Sequence, residues 1–390
     1  MKRPFAAFVF CAVASAATAA QAPCPRAVLP AYAHNDYEND RPLFDALRLG
    51  YQGVEADVFL VDGVLRVGHD RRRAMRSGTL EQMYLQPLKE LSERCHWLVA
   101  ENEPFLLNVE LKEASEVSFD SLLALLGRYG DVLSYAGPDS TRERTTRVTF
   151  VGWHPPLTLL TPTRLRGMRL QHRLTRPEDS LPRGGVANFV WMVSVDYGKS
   201  IAGWWRSRAH KERWLRTLRG LAMSGRTIRV YNVPVDAAVY RQLLAAGVSL
   251  IGTETLDESR EPLLSLVNLS RCYSIEAGPW TIPKDAHDRT IPAIPSVVVL
   301  DSVEAEGIFE SSSWRRVNAS WTGSAPLGPP WAWHSGIGSL SLSNSSGFGG
   351  LILDFRIAGD SIYGRARVFS DVANAKHPFA PARGRSVPCN

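Results

Sequence analysis

The 390-residue chain has no glycine-rich phosphate loop, no dinucleotide-binding glycine pattern, no Gly-x-Ser-x-Gly elbow and no Cys/His cluster with zinc spacing. These absences set aside P-loop nucleotide chemistry, nicotinamide or flavin redox chemistry, serine-hydrolase chemistry and a structural zinc. Beyond its N-terminal leader the chain contains no apolar run of about 18 residues, so no transmembrane segment is expected and the mature protein should be soluble. Neither charge sign dominates, with 45 Lys+Arg against 39 Asp+Glu and a net charge of +6. That balance suits contact with phosphates or anionic surfaces, but is too weak to indicate a nucleic-acid partner, and none is expected. Cysteine is scarce, at five residues. Cys11 falls inside the leader and has no lipoprotein context, which leaves Cys24, Cys95, Cys272 and Cys389.

What is present begins with that leader. Lys2-Arg3, an apolar run from Pro4 to Ala17 and a small-residue end at A-S-A-A-T-A-A have the three-part layout of a secretory signal peptide over residues 1–22. A secreted or periplasmic location is therefore expected, where four cysteines persist as disulfides in one of three pairings or remain as buried thiols. With 45% hydrophobic and 22% charged residues, the chain is globular and long enough for one barrel plus something smaller.

Residues Val54 to Asp70, V-E-A-D-V-F-L-V-D-G-V-L-R-V-G-H-D, concentrate the chemistry. β-Branched and apolar alternation predicts a strand, Asp62-Gly63 a turn, and Val64 to Val67 a returning strand. Glu55 and Asp57 are two apart, so their side chains leave the same strand face, where two carboxylates repel unless a cation or shared proton lies between them. His69-Asp70 closes the returning strand. Upstream, His34 follows an apolar run; downstream, Glu110 lies in F-L-L-N-V-E-L-K. Each stands near the end of a predicted strand, where the catalytic groups of an α/β barrel collect.

Strand patterns recur at 27–33, 53–60, 105–111, 148–153, 168–172, 189–196, 227–233 and 248–253, and eight is the number a closed parallel barrel needs. Helical patterns fall between several of them, at 43–50, 80–94, 117–129, 204–223 and 237–246. In the fourth helix Trp214, Leu215, Leu218, Leu221 and Ala222 recur at helical spacing, a core stripe with a solvated basic face. The fold class expected is α/β: a (β/α)₈ TIM barrel over 23–272 with a small β-rich C-terminal extension. Lys112 projects from the same strand face as Glu110, so its ammonium is placed to neutralise a phosphate oxygen. The polar strand ends His154, Asp196, Asn232 and Glu254 are further candidates, with Asn232 taken as substrate-binding. Arg71-Arg72-Arg73 extends the phosphate contact or is simply solvated.

The order His, Glu-x-Asp, His-Asp, Glu-x-Lys resembles the phospholipase C-like phosphodiesterases, which include glycerophosphodiester phosphodiesterases and sphingomyelinase D-type phospholipases. H-N-D-Y (His34 to Tyr37), R-P-L-F-D-A-L-R-L-G (Arg41 to Gly50) and V-E-A-D-V are most similar to the "altered inheritance of mitochondria" branch. The resemblance implies His34 and His69 as general acid and base and Glu55, Asp57 and Glu110 as ligands of one divalent cation. Three carboxylates without a thiolate favour a hard ion, Mg²⁺ first and Ca²⁺ as the alternative. The implied activity is phosphoric diester hydrolysis on a glycerophosphodiester or phospholipid-type substrate. Should a substrate hydroxyl attack, a cyclic phosphate forms first and the enzyme is formally a lyase. Asn35-Asp36-Tyr37 stands where glycerophosphodiesterases carry Arg-Gly, so the phosphate-contacting arginine is not where that subfamily keeps it. The alternative reading is a catalytically silent barrel that serves as a secreted glycan- or lipid-binding protein. A glycoside hydrolase is disfavoured, since Glu55 and Asp57 are too close for a carboxyl separation of about 5 Å or more. In a barrel, the start of the first strand and the end of the second helix share the bottom face, which pairs Cys24 with Cys95 and leaves Cys272 for Cys389.

From Tyr273 the composition changes. Proline and polar residues predict a linker over 273–295, followed at 296–390 by short alternating runs at 296–300, 314–321, 339–343, 351–357 and 366–372. These read as antiparallel strands of a small sandwich or appended sheet. Trp321, Trp331 and Trp333 are expected to pack its core rather than to form a sugar or lipid contact.

Overall fold

The computed structural model describes residues 24–99, 103–136, 141–165, 167–179, 181, 190–202, 207–305, 314–322 and 329–389. The expected leader, residues 1–22, lies outside them. Eight strands, Leu29–Ala33, Tyr51–Val61, Phe105–Leu111, Thr146–Gly152, Arg169–Leu174, Val190–Asp196, Thr227–Tyr231 and Leu250–Thr253, pair in parallel in chain order. The first strand also pairs with the last, which closes the (β/α)₈ barrel. Val64–Val67 returns antiparallel on the second strand through Asp62 (φ 49°) and Gly63 (φ 78°), the left-handed pair a two-residue hairpin requires.

Helices Phe44–Leu49, Gln86–Cys95, Glu116–Leu126, Arg208–Met223, Ala237–Ala245 and Leu256–Val267 cover the sheet. Their starts are local in origin: the side chains of Ser115, Ser207 and Asp236 accept hydrogen bonds from otherwise orphaned amides of the first turn. Trp214 and Leu218 are fully buried against the barrel, with Leu215, Leu221 and Ala222 packed beside them, so the amphipathic stripe is core. The helix at Leu256–Val267 has no counterpart among the sequence expectations.

Strand alternation sorts the side chains into two worlds. Val54, Ala56, Val58, Leu107, Val109, Ile228 and Val230 face the helices and join the main core. Their in-between neighbours enter the barrel, where Tyr32, Leu106, Met192 and Leu250 form an apolar cluster of their own. Asn108 farther along the third strand, and Thr149, Gln171 and Arg229 on the fourth, fifth and seventh, are buried polar residues. The inward face thus becomes polar toward the C-terminal ends of the strands.

The C-terminal region is a second, closed antiparallel barrel rather than a sandwich or open sheet. Its eight strands are Cys272–Ala277, Val297–Glu304, Arg315–Ser320, Trp331–Gly336, Ser339–Ser345, Gly349–Ala358, Ser361–Ser370 and Phe379–Ser386. The linker expected over 273–295 is corrected at its start. Cys272–Ala277 is a strand that pairs with both Val297–Glu304 and Phe379–Ser386 and so seals the barrel. Closure leaves no unpaired edge, which a small sheet would otherwise expose. Trp331 is buried in this core, with Trp321 and Trp333 packed against it, in keeping with their expected packing role.

Disulfides join Cys24 to Cys95 and Cys272 to Cys389, the pairing expected of a barrel. The second barrel sits on the helices of the first: the Gly359 amide donates to the Leu266 carbonyl at 2.8 Å, and Ala358 belongs to the first barrel's core. Among the described residues, no helix is long and apolar enough to cross a membrane.

Candidate active site

At the C-terminal mouth of the parallel barrel, Glu55, Asp57 and Glu110 converge, each offering an oxygen within 4.8 Å of the others. Register explains the meeting. Asp57 is directly opposite Glu110 on the neighbouring strand, and Glu55 lies two residues below Asp57 on the same face. Glu55 and Asp57 are only 1% exposed, and the local charges decide how such a cluster survives. Arg229, also buried, donates to Glu55 Oε2. Lys112 Nζ lies 2.9 Å from Asp57 Oδ2 and 3.4 Å from Glu110 Oε1. Arg173 Nη2 approaches Glu110 Oε2 at 3.5 Å.

The compensation is uneven. Burial, then the charge of Glu55, pushes the Asp57 carboxyl above its ordinary value despite Lys112, and its Oδ1 is buried with no hydrogen-bond partner. Burial acts the same way on Glu110, but Lys112, Arg173 and Arg229 outweigh it and hold that carboxyl low. Burial alone would pull Lys112 down, yet Glu110 and Asp57 keep it above the usual lysine range. An orphaned carboxylate oxygen among three converging acids is what a hard divalent cation would complete, so the residues present fit one.

His34 follows the first strand, its amide donating to the Thr253 carbonyl at 2.9 Å. Its Nδ1 is 2.9 Å from Glu254 Oε1, and its Nε2 points into the acidic cluster, 3.6 Å from Glu55 Oε2. Glu254 thereby fixes the ring, and that hydrogen bond, helped by the charges of His34 and His69 and by Asn35, lowers the Glu254 carboxyl. Asn35 takes a left-handed conformation (φ 50°), which turns its side chain to Glu254 at 3.1 Å. The Tyr37 hydroxyl lies 2.8 Å from Asp57 Oδ2. The H-N-D-Y motif therefore wraps the cluster, and Asp36 beneath it accepts from the Leu43 amide and the Tyr84 hydroxyl.

His69 is exposed at the mouth. The preceding Gly68 amide donates to the Asp57 carbonyl at 2.9 Å, which ties this segment to the site. Asp70 is a cap, its side chain accepting from the Arg73 amide at 2.9 Å, rather than a partner of a histidine. Arg71 pairs with Glu113 and Arg73 with Glu38, so these two arginines are engaged at the rim. Asn232, at φ 55°, donates to Asp196 Oδ2 at 2.8 Å at the end of the seventh strand, and His154 Nδ1 is turned to the Pro155 carbonyl.

Arg229, Arg173 and Tyr37 are site residues that the sequence reading passed over. Arg229 could have been found as a charge in the middle of an otherwise apolar strand, T-I-R-V-Y. Its guanidinium lies 4.4 Å from the Tyr32 ring centroid and donates to Gln171 Oε1 at 3.1 Å. Gln171 in turn donates to Asn108, linking strands across the lumen. Gly252 makes room for this stack, since a Cβ there would lie 2.4 Å from the Tyr32 hydroxyl oxygen.

Residues 25–105 match the family model described as the AIM6-like phosphodiesterase domain. Over 72 residues the chain is 35% identical to the altered inheritance of mitochondria protein 6 homolog of Arthroderma benhamiae, 17% of this chain and 23% of that protein. The match thus spans less than a quarter of that relative's length. Among solved structures, a glycerophosphodiester phosphodiesterase from Agrobacterium tumefaciens aligns with a TM-score of 0.36 at 15% identity, over 59% of this chain and 97% of its own. An Oleispira antarctica phosphodiesterase in complex with its product sn-glycerol-3-phosphate aligns with a TM-score of 0.36 at 13% identity, over 60% and 96%. The resemblance carried by H-N-D-Y, R-P-L-F-D-A-L-R-L-G and V-E-A-D-V is borne out over residues 25–105.

Proposed function

We propose that the protein is a metal-dependent phosphoric diester hydrolase acting on a glycerophosphodiester or phospholipid-type substrate. The observation that carries this reading is the orphaned Asp57 oxygen among Glu55, Asp57 and Glu110, with Nε2 of His34 turned toward that cluster. Glu55, Asp57 and Glu110 would hold the cation, Mg²⁺ by the hardness of its ligands. When bound, it supplies positive charge to a non-bridging phosphate oxygen. Lys112, already fully charged between two acids, offers a second cation to the same phosphate.

With Nδ1 held by Glu254, His34 keeps Nε2 for proton transfer and takes the proton of the attacking oxygen. His69, at the exposed mouth, delivers a proton to the departing alcohol as its bond to phosphorus breaks. Asn232 contacts the substrate from the rim. If the attacking oxygen is water, the product is a phosphate monoester; if it is a neighbouring substrate hydroxyl, a cyclic phosphate forms. Two disulfides suit an oxidising compartment and support a secreted or periplasmic location.

The test is phosphorus NMR of glycerophosphocholine and lysophospholipid reactions, run beside an aryl glycoside. Chelation should abolish phosphodiester turnover and Mg²⁺ restore it. His34→Ala and His69→Ala should each lose about 10²–10⁴-fold while keeping their circular dichroism. Undiminished turnover in the folded double variant, or glycoside cleavage in place of phosphodiester cleavage, would overturn the assignment.

A further inference from the structure

On the face opposite the candidate active site, the two barrels enclose a cleft of about 970 Å³. Its floor is formed by the C-terminal end of helix Arg208–Met223, the end of helix Ala237–Ala245, the first residue of the seventh strand, Thr227, and Ser249 just before the eighth. The opposite wall comes from the antiparallel barrel, at Glu276–Pro279, Asp354–Arg356, Tyr363–Arg365 and Pro381–Arg383.

Positive charge predominates in the described lining of this space. Among the described residues, five arginines line it against two carboxylates, Glu276 and Asp354. Arg383 pairs with Glu276 at the rim. Asp354 is shared, lying 3.8 Å from Arg365 and 3.7 Å from Arg367. Arg365 otherwise donates to the Met223 carbonyl at 3.2 Å, and Arg356 reaches the Ile337 carbonyl at 3.5 Å. Carbonyl dipoles satisfy hydrogen bonds but do not neutralise a full charge.

Arg229 shows, within the same chain, what a matched buried arginine looks like: Glu55, Tyr32 and Glu110 together more than offset burial and hold its guanidinium charge firmly. In the cleft the balance is reversed: burial pulls Arg356 below its ordinary value in spite of Glu103 and Asp354, and burial, with the like charge of Arg367, pulls Arg365 down in spite of Asp354. Gly225 (φ 82°) keeps the space around Arg365 open, since a Cβ there would stand 2.8 Å from its Nη1. Arginine forks around a half-enclosed volume of drug-ligand scale are suited to bidentate recognition of phosphate.

We propose that the cleft between the barrels is a second binding site, for a multiply charged phosphate ester, separate from the phosphodiester site. The ligand bridges the floor arginines of the parallel barrel and the wall arginines of the antiparallel one. Its source is a small polyphosphorylated molecule or the phosphate groups of a polymer, and the chemistry is the same.

The experiment is calorimetric titration of the full mature protein in EDTA with myo-inositol hexakisphosphate and, in a second arm, long-chain polyphosphate. Arg219 and Arg383 line the cleft from exposed positions, so Arg219→Glu/Arg383→Glu and the milder Arg219→Gln test it without removing buried contacts. Saturable binding, one equivalent per chain for the hexakisphosphate, is expected. It should weaken about tenfold or more in the double variant, less in Arg219→Gln, and persist in Lys112→Ala. Tighter binding of polyphosphate with the same dependence on the variants identifies a polymeric source and supports the site. Absence of saturable binding at low ionic strength, binding unchanged by the cleft substitutions, or binding lost with Lys112→Ala would each overturn the proposal.

Discussion

Replacing Arg229 with methionine separates the two jobs assigned to the interior of the parallel barrel. The side chains of Arg229 and Glu55 are 3% and 1% exposed, so the substitution leaves a carboxylate buried beside Asp57 and Glu110 with its strongest partner gone. Breaking such a pair by removing one member costs about 3–5 kcal/mol. The same arginine repels any cation held by the three acids. A unit charge about 5 Å from another, at an effective dielectric of about 20, contributes about 3 kcal/mol. Arg229→Met should therefore be markedly less stable than the parent in EDTA and should bind Mg²⁺ more tightly. Urea unfolding with EDTA and with saturating Mg²⁺ gives both quantities, since a ligand at about one hundred times its Kd adds about 2.7 kcal/mol. The variant should recover more stability on Mg²⁺ addition than the parent gains. A loss below about 1 kcal/mol in EDTA, or an Mg²⁺ effect no larger than the parent's, would refute the account of a cluster held together by internal cations.

Other outcomes follow from neighbouring groups. Burial raises the Asp36 carboxyl from 3.8 to about 6, so the folded protein binds this proton more tightly than the unfolded chain. Stability from this group is then fully present below about pH 4 and lost as pH rises to about 6, a slope worth about 3 kcal/mol that Asp36→Asn should flatten in pH-dependent unfolding. Glu254→Gln keeps an acceptor for His34 Nδ1 but removes the charge that stabilises a protonated ring. A fall in kcat of about 10–10²-fold, with displacement of the acidic limb of the pH profile, which a general base sets, is expected, and an unchanged profile would remove Glu254 from its positioning role. The disulfide Cys272–Cys389 spans a sequence separation of 117, and Cys272→Ser/Cys389→Ser should destabilise the antiparallel barrel by about 4–5 kcal/mol, read as a lowered calorimetric transition.

Much of the first barrel was legible because its determinants are local. Strand and helix periods, the Asp62-Gly63 hairpin and the spacing of Glu55, Asp57, Glu110 and Lys112 all follow from which face a side chain leaves, and the structure brings these four together. The eight-strand count then set the closure, and with it the shared bottom face that joins Cys24 to Cys95. The second barrel was less legible. Trp331–Gly336 and Phe379–Ser386 carry weak alternation, and Cys272–Ala277 reads as the start of a linker until Phe379–Ser386, more than a hundred residues later, pairs with it.

The site divides along the same line. Residue type and spacing by themselves determined that carboxylates, histidines and a lysine gather at one end of the strands, because strand pleating is a property of a few consecutive residues. Only the tertiary structure decided that Arg229 and Arg173 enter the same cluster, that Glu254 orients His34, and that Arg71 and Arg73 are spent on rim pairs. These contacts join residues 35 to 220 positions apart, and nothing in a short window of sequence carries the register of a closed sheet or the balance of buried charge across its lumen.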